Sequence, residues 1–189
     1  MSKWLELDYK LFEIFNQQLT NPVFDAVMPF WRNKYFWAPM YLFVIVFLIT
    51  NKYRKWWLII GMILLIMALS DILSSHLIKP YVARLRPCNN PFWDATIHQL
   101  VPCGGGYSFT SSHATNHFTL ATLFSFLFSN RVRWITPVLF LWAASISYGQ
   151  VYVGVHYPVD IFFGSVLGLT LGVLGGTIMR RLDFHRNYL

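Results

Sequence analysis

Residues 56–78 read WWLIIGMILLIMALSDILSSHLI, and residues 79–87 continue as KPYVARLRP. The first string exceeds the ~20 predominantly apolar residues that a bilayer core asks of a helix. Trp56 and Trp57 open it, as aromatic rings do at a membrane surface. Asp71 lies inside it and His76 near its end. Ionisable groups at such depth are costly and tend to mark function. The second string then gathers Lys79, Arg84 and Arg86 ahead of Pro87. Snorkelling at a membrane edge is the plainer account of these three cations. A phosphate-binding segment is the sharper one, because guanidinium forks match phosphate oxygens.

Reading outward, the rest of the chain has the same character. Of its 189 residues, 56% are hydrophobic, 19% aromatic and only 12% charged. A soluble domain carries about a quarter charged residues. Further apolar runs at 36–50, 114–129, 134–152 and 158–179 bring the expected total to about five transmembrane helices. The expectation is an all-α integral membrane protein with one domain over 1–189 and its bundle over 36–180. Glycines at 164, 168, 172, 175 and 176 suit close helix contact in the last span. Residues 1–35 are too polar to span and pattern as amphipathic helices in the membrane interface, with Leu5, Tyr9, Phe12, Ile14 and Phe15 on one broad face. No cleavable signal peptide is expected, since no apolar core follows the first ten residues.

The formal net charge of +7 suggests no nucleic-acid partner, because the basic residues fall in clusters at 52–55, 131–133 and 180–186 between apolar runs. That is the pattern of cytoplasmic loops. Alternation of the spans then puts the cationic segment and the two stretches described next on the opposite face. Lys3, Lys10, Arg32 and Lys34 run against this rule, unless the N-terminal segment dips into the bilayer.

Two further polar stretches accompany apolar helices. Residues 110–113 read TSSH, and residues 149–160 read GQVYVGVHYPVD. Ser111 and Ser112 entering a helix offer amides and hydroxyls to an anion, and His113 there could protonate a departing alkoxide. An ordinary helix cap is the competing account. His156 and Asp160 are four apart, with Pro158 suited to a first helical turn. A carboxylate on one imidazole nitrogen fixes the tautomer and leaves the other nitrogen a better nucleophile. A structural His–Asp cap competes here too. His113 and His117 also admit a metal pair, but no third ligand follows at ordinary spacing. Asp71 is expected behind the site, paired with a basic or histidine partner. Cys88 and Cys103 bracket a polar loop, and either a disulfide or two free thiols fit.

Together the three stretches resemble the signature of the type 2 phosphatidic acid phosphatase superfamily, membrane relatives of the vanadium haloperoxidases. The family pattern runs Lys-x6-Arg-Pro, then Pro-Ser-Gly-His, then Ser-Arg-x5-His-x3-Asp. Lys79, Arg86 and Pro87 match the first element, Ser111 and His113 the second, His156 and Asp160 the third. Thr110 and Ser112 stand for the proline and glycine, and Gly149-Gln150 for the Ser-Arg pair. The resemblance implies a lipid phosphatase at the outer face of a bacterial inner membrane, needing no metal or other cofactor. Its partners would be membrane lipids and a lipid phosphate: undecaprenyl diphosphate, phosphatidylglycerol phosphate, phosphatidic acid or a lipid A phosphate. It implies His156 as nucleophile through a phosphohistidine, Asp160 as its orienting carboxylate and His113 as general acid. Lys79, Arg86, Ser111 and Ser112 would hold the phosphate, with Gln150 in place of the family arginine. Arg84 is expected to compensate for that lost charge. The glutamine leaves two alternatives: a lipid phosphotransferase, or a weakened lipid-phosphate-binding protein.

Overall fold

The structure, a computed structural model, describes residues 3–51, 55–93 and 96–182. Lys52, Arg54 and Arg186 of the expected basic clusters lie outside them. Eight α-helices form, and no strand occurs among the described residues. They are α1 Lys3–Glu13, α2 Pro22–Trp31, α3 Ala38–Thr50, α4 Trp56–Asp71, α5 Lys79–Val82, α6 Ser112–Phe128, α7 Ile135–Tyr152 and α8 Pro158–Arg181.

Local chemistry sets these boundaries. Asn21 caps α2 by accepting from the Phe24 N–H at 2.9 Å, and Pro22 occupies the first turn, where a missing donor costs nothing. Pro158 does the same for α8. After α4 the helix continues with π-type hydrogen bonding over Ile72–Ile78 into α5. It stops at Ala83, whose φ of 51° is left-handed and reverses the chain. Arg84 and Arg86 therefore turn back over the helix end rather than continuing away from it.

The centre of the bundle is α6, with Ala121, Leu123 and Phe124 buried among α3, α4, α7 and α8. Its closest partner is α8. A Cβ at Gly168 would lie 2.3 Å from the Thr115 carbonyl oxygen, and one at Gly164 2.7 Å from that of Ser111. Only glycine admits this approach, which sets the starts of α6 and α8 side by side. The outer faces are apolar and bare: Leu64 and Leu65 on α4 and Phe162 on α8 are each more than 60% exposed. A protein in water rarely leaves such faces open.

By length and composition, segment Trp56–Trp93 and α8 qualify to cross a membrane, with mean hydropathies of 2.3 and 1.9. The apolar α3 has 13 residues, or about 20 Å at 1.5 Å per residue, short of a ~30 Å core.

The N-terminal helices cap one end of the bundle. Phe12 is fully buried against Trp93, Val151 and Tyr157. Asn16 is also fully buried, donating to the His98 and Tyr152 carbonyls at 2.8 Å and accepting from the His98 N–H. Trp31 donates to Ser145 Oγ at 2.9 Å, fastening the end of α2 to α7. Asp25 accepts from Tyr152 Oη at 2.6 Å and stands 2.9 Å from His98 Nε2.

Candidate active site

The end of the bundle under this cap collects the chain's polar chemistry. His156 lies in the short connection between α7 and α8 and is 1% exposed. Its Nδ1 stands 3.5 Å from Asp160 Oδ2, at ion-pair reach but outside hydrogen-bond geometry. Its Nε2 faces Arg86 Nη1 at 3.4 Å. Burial pushes the imidazole down to about 4, against the opposing pull of the Asp160 carboxylate. The ring is therefore neutral at neutral pH, with a lone pair free on one nitrogen.

Asp160 is held from three sides. Its Oδ2 accepts from the Tyr157 N–H at 2.9 Å, which also caps α8. Its Oδ1 accepts from Arg84 Nη1 at 2.8 Å, and its backbone carbonyl accepts from the Ser111 N–H at 3.1 Å. The last bond ties the start of α6 to that of α8.

His113 sits in the first turn of α6. Lys79, His156 and Arg32 are all close enough for their charges to act on it. Ser111 caps the helix, its Oγ accepting from the Ala114 N–H at 3.4 Å. Arg86 donates from Nη1 to the Val155 carbonyl at 3.3 Å, and its buried Nε has no partner. Cys88 and Cys103 are joined, with Cα atoms 5.8 Å apart. That bridge holds Gly104 beside the Arg86 guanidinium, where a Cβ would lie 3.7 Å from Cζ.

Lys79, Arg86, His113, His156 and Asp160 thus meet at one end of the bundle. Four expectations need correction. Arg84 does not face the anion space: it is bound to Asp160 and, through Nη2, to Asp8, with its guanidinium 3.9 Å over the Tyr157 ring. Two carboxylates and an aromatic face leave it no free fork. The side chain of Gln150 does not replace the arginine directly: its Oε1 accepts from Arg32 Nε at 3.0 Å and Nη2 at 2.8 Å. Ser111 uses its N–H and its Oγ inside the scaffold, leaving Ser112 and His113 as the amides at the open start of α6. Asp71 accepts from Ser75 Oγ at 3.2 Å rather than from a basic group. Ser75 in turn lies 2.8 Å from Ser112 Oγ, so Asp71 reaches the serine turn through a hydroxyl. His117 is committed to the fold, donating from Nδ1 to the His113 carbonyl at 2.7 Å.

Two residues escaped the sequence reading. Asp8, 2% exposed, accepts from Arg84 and from the Val159 N–H at 2.9 Å. Arg32 reaches the site from the end of α2. Its signal was present: it breaks the positive-inside pattern in a segment otherwise read as an interfacial anchor.

A cavity of about 640 Å³ opens beside the site. Arg32, Lys34, Ser112, His113 and Asn116 line its polar end, and Val44, Leu48, Ile63 and Phe124 its apolar end between α3, α4 and α6.

The PAP2 superfamily model matches residues 56–183. A lipid A 4'-phosphatase of Bacteroides thetaiotaomicron is 35% identical over 86% of this chain and 72% of its own length. The crystal structure of Aquifex aeolicus LpxE superposes with a TM-score of 0.67 at 28% identity, covering 89% of this chain and 94% of that one. A transmembrane PAP2-type phosphatidylglycerolphosphate phosphatase from Bacillus subtilis shares the fold at a TM-score of 0.76 and 18% identity, covering 100% and 90%. The chain belongs to the PAP2 superfamily.

Proposed function

We propose that the protein is a membrane lipid phosphatase that removes a phosphomonoester from a lipid, with a lipid A-type phosphate as the favoured substrate. The observation that carries this reading is the placement of His156 between Asp160 on one nitrogen, at 3.5 Å, and Arg86 on the other, at 3.4 Å. A carboxylate behind a neutral imidazole and a guanidinium in front of it suit nucleophilic attack on a phosphate. The lipid A preference follows the Bacteroides relative, whose name states that activity.

The phosphate enters against Arg86, Lys79 and the open amides of α6. The lone pair on His156 Nε2 forms a bond to phosphorus while the bond to the lipid oxygen breaks. His113 gives its proton to that oxygen, releasing the lipid alcohol. Water then attacks the phosphohistidine, His113 takes up a proton from it, and inorganic phosphate leaves. Asp160 orients His156 and stabilises the charge it gains. Fixed cations neutralise the phosphoryl oxygens, so the chemistry requires no metal. In this reading α3, α4, α6, α7 and α8 cross the inner membrane, α3 only together with the residues that flank it, and the site lies at the periplasmic face. The apolar end of the 640 Å³ cavity takes part of the lipid tail.

The test is phosphate release from a panel of lipid phosphates by detergent-purified protein, with and without chelator. Turnover that survives chelator and is lost in His156→Ala supports the reading. Turnover that persists in His156→Ala, or that chelator abolishes, contradicts it.

A further inference from the structure

We infer that Arg32, delivered by α2 and oriented by Gln150, is a phosphate-binding residue of this site and supplies the charge that the third signature element lacks. The inference rests on the lipid-phosphate reading above and adds a residue to it.

Three independent observations converge. First, the charge balance is lopsided. Asp8 and Asp160 both bind Arg84, whereas among the described residues Arg32, Arg86 and Lys79 have no carboxylate within ion-pair distance. The charges of Arg32 and Arg86 act on each other, and burial together with that repulsion pushes the Arg32 guanidinium down to about 10. It remains protonated at neutral pH. Cations in excess of nearby carboxylates in a partly buried space repel one another and suit an anion.

Second, Gln150 is built as a holder. It is fully buried, and both Arg32 hydrogen bonds land on its Oε1, which fixes the amide orientation. Its Nε2 is left buried with no partner. A carbonyl oxygen can position a guanidinium without neutralising it, whereas a carboxylate would cancel the charge. The bonds to Gln150 use Nε and Nη2, leaving Nη1 and its donors uncommitted to it. Arg32 and His113 line the same cavity.

Third, the contact between α2 and α7 brings the arginine to the glutamine. A Cβ at Gly149 would touch Arg32 Cβ at 3.4 Å and Met28 Sδ at 3.5 Å. The end of α2 thus lies against α7 at Gly149, and the glutamine beside it receives the arginine that this approach delivers. An arginine at 150 would instead set a second cation against Arg32.

Orthovanadate is the probe, because its affinity can be read from thermal unfolding in detergent whether or not a lipid is turned over. Five proteins suffice: wild type, Arg32→Ala, Arg32→Gln, Gln150→Arg, and Arg32→Ala combined with Gln150→Arg. Loss of one charge-assisted contact predicts vanadate binding weakened about 10- to 100-fold in Arg32→Ala. Arg32→Gln keeps bulk and hydrogen-bonding capacity and should weaken it similarly, which covers a folding defect in the alanine variant. The combined variant should regain most of the affinity, while Gln150→Arg alone should fall below wild type in stability. Phosphate release on the same proteins should follow the same order, mainly in KM. Wild-type vanadate affinity in folded Arg32→Ala or Arg32→Gln overturns the inference, as does a combined variant no better than Arg32→Ala. Absence of phosphate release from wild type would instead count against the lipid-phosphatase reading, and the vanadate series would still decide the role of Arg32.

Discussion

Arg84 joins the first helix to the site: it donates from Nη1 to Asp160 Oδ1 at 2.8 Å and from Nη2 to Asp8. Asp160 is fully buried and Asp8 2% exposed. The N-terminal cap is thereby part of the machinery that holds the carboxylate behind His156. Arg84→Ala leaves two buried acids without a cation and should cost on the order of 3 kcal/mol. Thermal unfolding in detergent measures it. Asp8→Asn should cost less, and the two changes together should be less harmful than their sum. Strictly additive effects would mean that the pair is not coupled.

His156 makes stability depend on pH. In the unfolded chain its imidazole titrates near the ordinary value of about 6.5, and in the folded chain burial lowers it to about 4. Below 6.5 the unfolded state takes up a proton that the folded ring refuses. The stability linked to this ring is thus complete above about 6.5 and lost progressively as pH falls to about 4. The difference in unfolding temperature between wild type and His156→Gln should change across that window. A constant difference from pH 7 to pH 4 would contradict the assignment.

The contact between α6 and α8 is a packing prediction. A methyl at Gly168 would overlap the Thr115 carbonyl, whereas one at Gly61 meets nothing within 4 Å. Gly168→Ala should destabilise by about 1–3 kcal/mol through overpacking. Gly61→Ala should be neutral or slightly stabilising, as alanine favours helix over glycine. Equal effects at the two positions would rule out this packing geometry.

The disulfide reaches the site through Arg86. Reduction, or Cys88→Ser with Cys103→Ser, should lower stability by about 3 kcal/mol for a loop of this length. It should also raise KM, because Gly104 would no longer be held beside the Arg86 guanidinium. An unchanged KM would separate the bridge from phosphate binding.

Much of this was written locally. Apolar runs bounded by Pro22, Pro158 and basic residues define the helices. Lys79, Arg86, His113, His156 and Asp160 announce themselves by spacing. What the sequence hid were pairings between distant segments. Arg32 and Gln150 are 118 positions apart, and Asp8 is 76 from Arg84. Asp8 sits on an amphipathic helix, where an acid ordinarily marks the solvated face, and only the folded chain turns it inward. By position in the sequence Arg84 is an extra cation near the first element, suited to make up for the charge missing at Gln150. The left-handed turn at Ala83 and the two carboxylates send it elsewhere.

The central claim is that His156 attacks phosphorus. Rapid quenching of the enzyme with phosphorus-labelled lipid phosphate, in chelator, followed by mass spectrometry of the peptide that contains residue 156, tests it most directly. The account predicts an acid-labile phosphoryl group on His156 that forms as fast as the lipid alcohol appears and is absent from His156→Ala. Turnover with no label on that histidine, or label on a different residue, would contradict it.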